Sequence, residues 1–378
     1  MSLRYIAPLS HRQSRPRPLP PNLPVFRRVI KVGLFLFLSS VISIWTFGSS
    51  TLANTQGKPF YQGKTIRILV GSTSGSLYDH WANLLARALS KHIPGQPSMI
   101  VQNMRGASGI VAANYGYTVA APDGLTLVMF HRHVYMEQLI ERKEVWFDLR
   151  RYQWIGSPDK SRPMLYIRAD SPYKTIEDIV KSPNPPKCGA TGTSDLTYSM
   201  SKVLEVALGG SVNLVVGYTA GSKIDLAMEG GEVVCRVTSL DVHLNREPYQ
   251  TWDKTTFDRH LLFFGHTRDP RIPKVPTIYE LMEQKRTPKL NRQVAEVILG
   301  GNGFGRPVVA PPGTPAKAIK ILRAAYLKVL SDPEFLSEVK RLKISIDPST
   351  GEELQDLVRK VMDQPPEVIA RLKTLLAD

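Results

Sequence analysis

The chain has 378 residues, and 42% of them are hydrophobic, which is enough apolar side chain for the cores of two globular domains. It carries 49 lysines and arginines against 33 acidic residues, a formal net charge of +16. No basic run has interleaved aromatic side chains, so a nucleic-acid partner is not expected. The two cysteines do not form a C-x-x-C motif, which argues against a redox or cysteine-metal site.

The first 53 residues have the composition of an export signal. Seven basic residues and no acid precede the apolar run Val32–Phe47, and Thr51 and Ala53 then occupy the −3 and −1 positions of a cleavage site. We predict a signal peptide at residues 1–53 and a periplasmic mature protein. Export uses either the general secretory route or, given Arg27-Arg28, the twin-arginine route. An uncleaved anchor is the alternative, although the apolar run is short for a membrane span.

Cleavage would change the charge balance. It would leave 42 basic and 33 acidic residues, a difference of +9, which suits an anionic ligand or surface. After export, Cys188 and Cys235 could form a disulfide or remain as two buried thiols, and the sequence leaves both alternatives open.

Strands and helices alternate along the mature chain, beginning with the buried strand Ile66–Val70. The period then changes to that of an amphipathic helix that includes Trp81, Leu85 and Leu89. The pattern predicts an α/β fold with largely parallel sheets. The further predicted strands lie at residues 98–103, 123–130, 162–170, 187–192, 212–218, 232–239 and 259–266.

Several of these strands end in loops of small and hydroxylated residues. Such loops let the backbone approach a ligand, and helix-start N–H groups attract anions, so convergence of three loops would give a carboxylate site. Asp79 either caps its helix or accepts from a ligand hydroxyl or ammonium group. The candidate binding residues in these loops and after two later strands are Ser72, Thr73, Ser74, Gly75, Ser76, Tyr78, Asp79, Gly106, Ala107, Ser108, Gly109, Thr191, Gly192, Thr193, Ser194, Tyr218 and Asp241.

Motifs for catalysis are weak or absent. G-x-S-x-G and H-E-x-x-H do not occur, and the S-x-x-K matches that begin at Ser171 and Ser337 lack the companion motifs of a serine acyl-transfer enzyme. His131 and His133 could suggest a metal, but no carboxylate or cysteine lies near them at ligand spacing. We therefore expect no enzyme activity, no metal and no cofactor.

The C-terminal third is predicted to be helical from its start signals. Thr314-Pro315 and Asp332-Pro333 each place a capping residue before a proline, and Thr350 with Glu353 matches a capping box.

These segments together resemble the solute receptors of tripartite tricarboxylate transporters, the Bug-type family. The matching segments, in family order, are "FYQGKTIRILVGSTSGSLYDHWANLLARAL", "VQNMRGASGIVAANY", "APDGLTLV", "CGATGTSDLTYSMSKVL", "VVGYTAGSKIDLAMEGGEV", "VPTIYEL" and "VVAPPGTPAKAIKILRAAYLKVLSDPEF".

The resemblance implies a two-lobed periplasmic-binding-protein fold, type II-like, with a cleft that closes on a small organic anion. On this basis lobe 1 takes residues 58–158 and 266–378, and lobe 2 takes residues 159–265. The three loops would line the cleft of a monomer that delivers its ligand to membrane permease subunits. The alternative is a periplasmic sensor that presents the bound form to a signalling partner.

Two departures from the family pattern bear on the ligand. The first loop has more hydroxyl groups than is usual there, and "FHRHVYM" replaces small polar residues. Arg132 in that segment either pairs bidentately with a ligand carboxylate or is solvated.

Overall fold

The computed structural model describes residues 58–193 and 195–377 of the chain. The predicted signal peptide lies outside the described residues. Among those that are described, no helix has the length and apolar character needed to cross a membrane.

Eleven strands and fourteen α-helices are assigned in the described part of the chain. The strands are β1 (Thr65–Val70), β2 (Ser98–Asn103), β3 (Thr126–Met129), β4 (Gln153–Ser157), β5 (Pro163–Arg168), β6 (Lys187–Ala190), β7 (Asn213–Val216), β8 (Cys235–Ser239), β9 (Asp258–Phe263), β10 (Val308–Ala310) and β11 (Ser349–Thr350). The helices are α1 (Leu77–His92), α2 (Ile110–Thr118), α3 (Val134–Leu139), α4 (Ile176–Lys181), α5 (Leu196–Leu208), α6 (Gly221–Glu229), α7 (Leu240–Asn245), α8 (Tyr249–Thr255), α9 (Ile278–Gln284), α10 (Lys289–Gly300), α11 (Ala316–Val329), α12 (Pro333–Arg341), α13 (Gly351–Met362) and α14 (Pro366–Ala377).

The first sheet has the strand order β11-β4-β10-β3-β1-β2. The period change in the sequence correctly predicted β1 and the helix that follows it, because Trp81, Leu85 and Leu89 of α1 are buried in one core with Ile66 and Ile68. Strands β1, β2 and β3 are parallel, whereas β10 runs antiparallel to both β3 and β4.

The second sheet has the order β7-β6-β8-β5-β9. Strand β6 is parallel to β7 and β8, but β5 is antiparallel to β8 and β9. The prediction of largely parallel sheets is therefore correct only in part, because both sheets are mixed. In both sheets an antiparallel strand enters where the chain passes between sheets, and the hydrophobic runs do not encode strand direction.

Cys188 of β6 and Cys235 of β8 form a disulfide. The two residues are register partners on adjacent strands, with Cα atoms 4.4 Å apart. The bridge joins chain segments 47 residues apart in sequence and settles the alternative that the sequence left open.

Each sheet with its helices forms one lobe of a two-lobed α/β fold. The chain passes from the first sheet to the second between β4 and β5, and returns between β9 and β10. The return path contacts both lobes, since the Thr287 hydroxyl, between α9 and α10, donates to Ala207 O of α5 and Tyr135 of α3 donates to Val297 O of α10. The exact lobe boundaries, 58–158 with 266–378 and 159–265, thus stay a prediction.

Two of the three C-terminal start signals are confirmed. Asp332 accepts from the amides of Glu334 and Phe335, with a proline at the first helical position, and Thr350 forms a full capping box with its N3 residue. The Thr314 prediction is wrong, because its hydroxyl donates back to Pro311 O and α11 begins two residues later without a side-chain cap.

Candidate functional site

A cavity of about 410 Å³ lies between the two lobes, a volume typical of small-molecule sites. The predicted binding residues that line it come from both lobes: Ser72, Thr73, Gly75, Ser76, Tyr78, Gly106, Arg132, Thr191 and Tyr218. The cavity also carries a group of arginines, which are Arg105, Arg132, Arg236, Arg246 and Arg306.

The first loop, Gly71 to Ser76, is held in shape by Asp79. One carboxylate oxygen of Asp79 accepts from the Gly75 amide at 2.9 Å, and the other accepts from Asn103 Nδ2 at 2.8 Å. Ser76, not Asp79, is the residue that caps α1. Asp79 is buried and does not line the cavity, so it positions the loop. The predicted cap is wrong, and the predicted contact with a ligand stays a prediction.

Three loops of the first lobe meet at closely spaced backbones. A Cβ placed on Gly71 would lie 2.9 Å from Gly109 Cα, and a Cβ on Gly109 would lie 3.0 Å from the amide nitrogen of His131. Glycine is required here because no side chain fits between the loops. The predicted convergence of the first two loops is confirmed, and the segment after β3 joins them.

Arg132 is a buried cationic residue of the cavity wall and is only 5% exposed. Its backbone N and its Nε both donate to the Tyr78 hydroxyl, at 3.3 and 3.4 Å. Its Nη1 is buried without a hydrogen-bond partner, and no described carboxylate lies within ion-pair distance. A buried guanidinium is a cation with five donors, so this one lacks the anion that would balance it.

Arg306 lies beside it and is 6% exposed. Its guanidinium sits 5.3 Å from the centre of the Tyr78 ring and pairs with the Asp159 carboxylate, while its Nε is buried without a partner. Burial and then the charge of Arg132 lower the pKa of Arg306 to about 9. Tyr78 opposes that shift, and a pKa of about 9 leaves Arg306 cationic at neutral pH.

The pKa of His131 reflects the positive charge of Arg132 and Arg306 beside it. Its ring stacks on Tyr78 with centroids 4.6 Å apart. Burial, followed by the charges of Arg132 and Arg306, lowers the pKa of His131 from 6.5 to about 4. The imidazole is therefore neutral at neutral pH. Of the two guanidiniums beside it, only that of Arg306 has a carboxylate partner among the described residues, which is Asp159.

The polar side chains that the second lobe contributes to the cavity wall mostly bond to one another or to their neighbours. Arg236 ion-pairs with Asp225 and donates to the Tyr249 hydroxyl at 2.8 Å, and Tyr249 donates to Asp225 at 3.0 Å. The Tyr218 hydroxyl donates to Glu232 at 2.6 Å, so that residue presents its ring to the cavity. Thr191 lines the cavity while its hydroxyl donates to the helix-capping Asp195 at 2.9 Å.

Several predicted binding residues lie elsewhere. Thr193 donates to Glu137 Oε1 of α3 at 2.9 Å and thereby joins the two lobes. Asp241 lines a small adjoining pocket, and its carboxylate accepts from Arg162 and Arg271. Four other residues, Ser74, Ala107, Gly109 and Gly192, do not line the cavity either. Ser194 and the side chain of Ser108 lie outside what the structure describes.

Sequence reasoning missed much of the second wall and one key cation. Arg306 follows the turn "GGNGFG", which gave no binding signal. The loop Thr219–Ser222 enters the cavity at the start of α6, and its small residues were the available signal. Arg236 and Tyr249 belong to separate elements that only the tertiary fold brings together.

Metal ligation has one candidate group among the described residues. His243, Asp258 and His260 place ligand atoms within 4.8 Å of one another in the second lobe. His243 Nε2 lies 2.6 Å from Asp258 Oδ2, which is the separation of a hydrogen bond, and the group does not line the cavity. His131 and His133 do not belong to it.

A sequence model described as tripartite tricarboxylate transporter family receptor matches residues 82–374. The chain belongs to this family. Proteins of the family are periplasmic substrate-binding receptors, which confirms the resemblance drawn from the sequence.

Relatives and solved structures agree with the assignment. A protein from the gbd 5′ region of Cupriavidus necator is 29% identical over 286 residues, which cover 75% of this chain and 79% of that protein. MatC from Rhodopseudomonas palustris, solved with malate, matches with a TM-score of 0.60 at 18% identity, covering 83% of this chain and 99% of that one. An adipate-bound R. palustris protein matches with a TM-score of 0.62, again at 18% identity, covering 82% and 98%. At these identities the solved structures show a shared fold.

Proposed function

We propose that this chain is a non-catalytic periplasmic receptor that reversibly binds a small organic carboxylate in the cleft and delivers it to a tripartite transporter permease. The observation that carries the proposal is Arg132, a buried guanidinium on the cavity wall with an unpartnered Nη1 and no acidic partner among the described residues. An anionic ligand would balance this charge, and a planar carboxylate matches the guanidinium fork.

The remaining cavity wall supports reversible binding over catalysis. Ser72, Thr73 and Ser76 bring hydroxyl groups, and α1 begins at the cavity edge, where its first amides favour negative charge. His131, which lines the cavity beside the arginines, is stacked and buried, and the carboxylate that accepts from the Thr191 hydroxyl, Asp195, is already engaged as the cap of α5.

A thermal-shift screen tests the binding claim. The protein from residue 54 onward is heated with malate, adipate, benzoate, an amino acid or glucose. A ligand at 100 times its dissociation constant adds about 2.7 kcal/mol of stability, which is a shift of several degrees. Stabilisation by a carboxylate but not by glucose is expected, and a response to neutral compounds alone would contradict the proposal.

Delivery needs a separate test. Cells that lack the gene are complemented with the wild type or with Arg132→Met, and uptake of the radiolabelled carboxylate is measured. We expect uptake to return with the wild type alone. Equal uptake without the gene would remove the transport role while leaving the binding result intact. We expect the receptor to be a monomer.

A further inference from the structure

Two chain segments connect the lobes, and both contribute to the same buried contact. The first is residues 157–162, from the last residue of β4 to the start of β5, and the second is residues 301–307, the last part of the return path from β9 to β10. We call them the crossing segments. The Ser161 amide donates to Asn302 O at 2.9 Å, and the Arg306 amide donates to Ser157 Oγ at 2.8 Å.

The backbones of the crossing segments touch where they pass. Gly305 has a φ of +56°, and a Cβ there would collide with the Asp159 carbonyl oxygen. The same Asp159 receives the Ser157 hydroxyl on its carbonyl at 2.8 Å and the Arg306 guanidinium on its carboxylate. Arg306 and Asp159 therefore form an ion pair that joins the two crossing segments.

Arg306 also faces the ligand cavity, which Asp159 does not line. Its guanidinium lies over the Tyr78 ring, whose hydroxyl accepts from Arg132. Its Nε is buried without a partner. The Arg306 guanidinium is thus held by Asp159 of a crossing segment, and it also lies near Arg132, the arginine that has no acidic partner.

We infer that Arg306 is a second anion-binding residue and that it couples the ligand's negative charge to the crossing segments through Asp159. The inference rests on the proposed carboxylate binding at Arg132. A carboxylate bound between the two guanidiniums would share Arg306 with Asp159, weaken the buried ion pair and alter the contact between the two connections. Ligand charge, and not only ligand shape, would then bias the relative position of the lobes.

The substitution Asp159→Asn separates this role from a purely structural one. The side chain keeps its shape and loses the charge that competes with the ligand for Arg306. Malate and adipate should then bind about tenfold more tightly than to the wild type. Arg306→Met should bind them at least 30-fold more weakly, and Arg306→Lys, which keeps the charge, should lie between the two. Arg292→Met, on the exposed face of α10, is the matched control and should bind like the wild type.

Affinities are measured by titration calorimetry, and amide hydrogen exchange is followed at Ser161 and Arg306, whose N–H groups join the crossing segments. A ligand should change exchange at both amides in the wild type but not in Arg306→Met. If the wild type binds neither acid, the proposed function fails and this inference fails with it. If the wild type binds but Arg306→Met binds equally well, or Asp159→Asn binds more weakly while folded, the inference alone is overturned.

Discussion

Replacing Arg132 by methionine should stabilise the ligand-free protein while removing its affinity for carboxylates. An unpaired guanidinium that is only 5% exposed retains several kcal/mol of desolvation cost even after relaxation. The substitution removes only the long Nε hydrogen bond to the Tyr78 hydroxyl, because the other one is made by the backbone amide, and that bond contributes about 1 kcal/mol at most. Methionine keeps the apolar stem in place. We therefore expect the free energy of unfolding to rise by about 1–3 kcal/mol.

The assay is urea unfolding of protein that has first been unfolded and refolded to remove any bound ligand. The midpoint should rise with the slope unchanged. Arg292→Met is the control, because its side chain is 38% exposed and lies 3.4 Å from Glu283, so its stability should change by less than about 0.5 kcal/mol. A free energy of unfolding that is lower by more than about 1 kcal/mol in Arg132→Met would refute the reasoning, because it would show that Arg132 stabilises the ligand-free fold.

Three further predictions concern stability and the loops. Replacing Cys188 and Cys235 together by serine opens a loop of 47 residues and should cost about 4 kcal/mol in urea unfolding, while equal midpoints for the variant and the oxidised protein would contradict this. The pKa of His131 is lowered from 6.5 to about 4 in the folded protein. Between pH 4 and pH 6.5 the imidazole is therefore protonated in the unfolded chain but not in the folded one. The free energy of unfolding should fall by up to about 3 kcal/mol as the pH drops from 6.5 to 4, and His131→Phe should remove most of this pH dependence. An unchanged pH dependence in His131→Phe would show that other groups cause the loss. Gly71→Ala places a Cβ 2.9 Å from Gly109 Cα and should weaken carboxylate binding at least tenfold by calorimetry; unchanged affinity would show that the loops tolerate separation.

Part of the fold followed from the sequence because local patterns determine it. The change from a strand run to a helical period around Gly71 to Ser76 located β1 and α1, and the capping box at Thr350 located α13. Strand direction did not follow. The antiparallel pairing of β5 and β10 arises from the passage of the chain between sheets, a long-range property that leaves no mark on a short apolar run.

The site was predictable where backbone and small residues form it, and less so where side chains from distant elements meet. Arg132 followed from its unusual position after β3. Arg306 did not, because its partner Asp159 is far away in sequence and its burial depends on both crossing segments. Tyr218 was placed correctly at the cavity, but its hydroxyl is held by Glu232, a contact that sequence spacing does not reveal.

The most direct test of carboxylate recognition compares an acid with its amide of nearly the same shape. Titration calorimetry of the protein from residue 54 onward with adipate and with adipamide isolates the charge of the ligand. The buried Arg132 predicts at least 100-fold tighter binding of the acid, which corresponds to about 2.8 kcal/mol, and loss of most of that difference in Arg132→Met. Equal affinity for acid and amide, or the same preference with and without Arg132, would contradict the account.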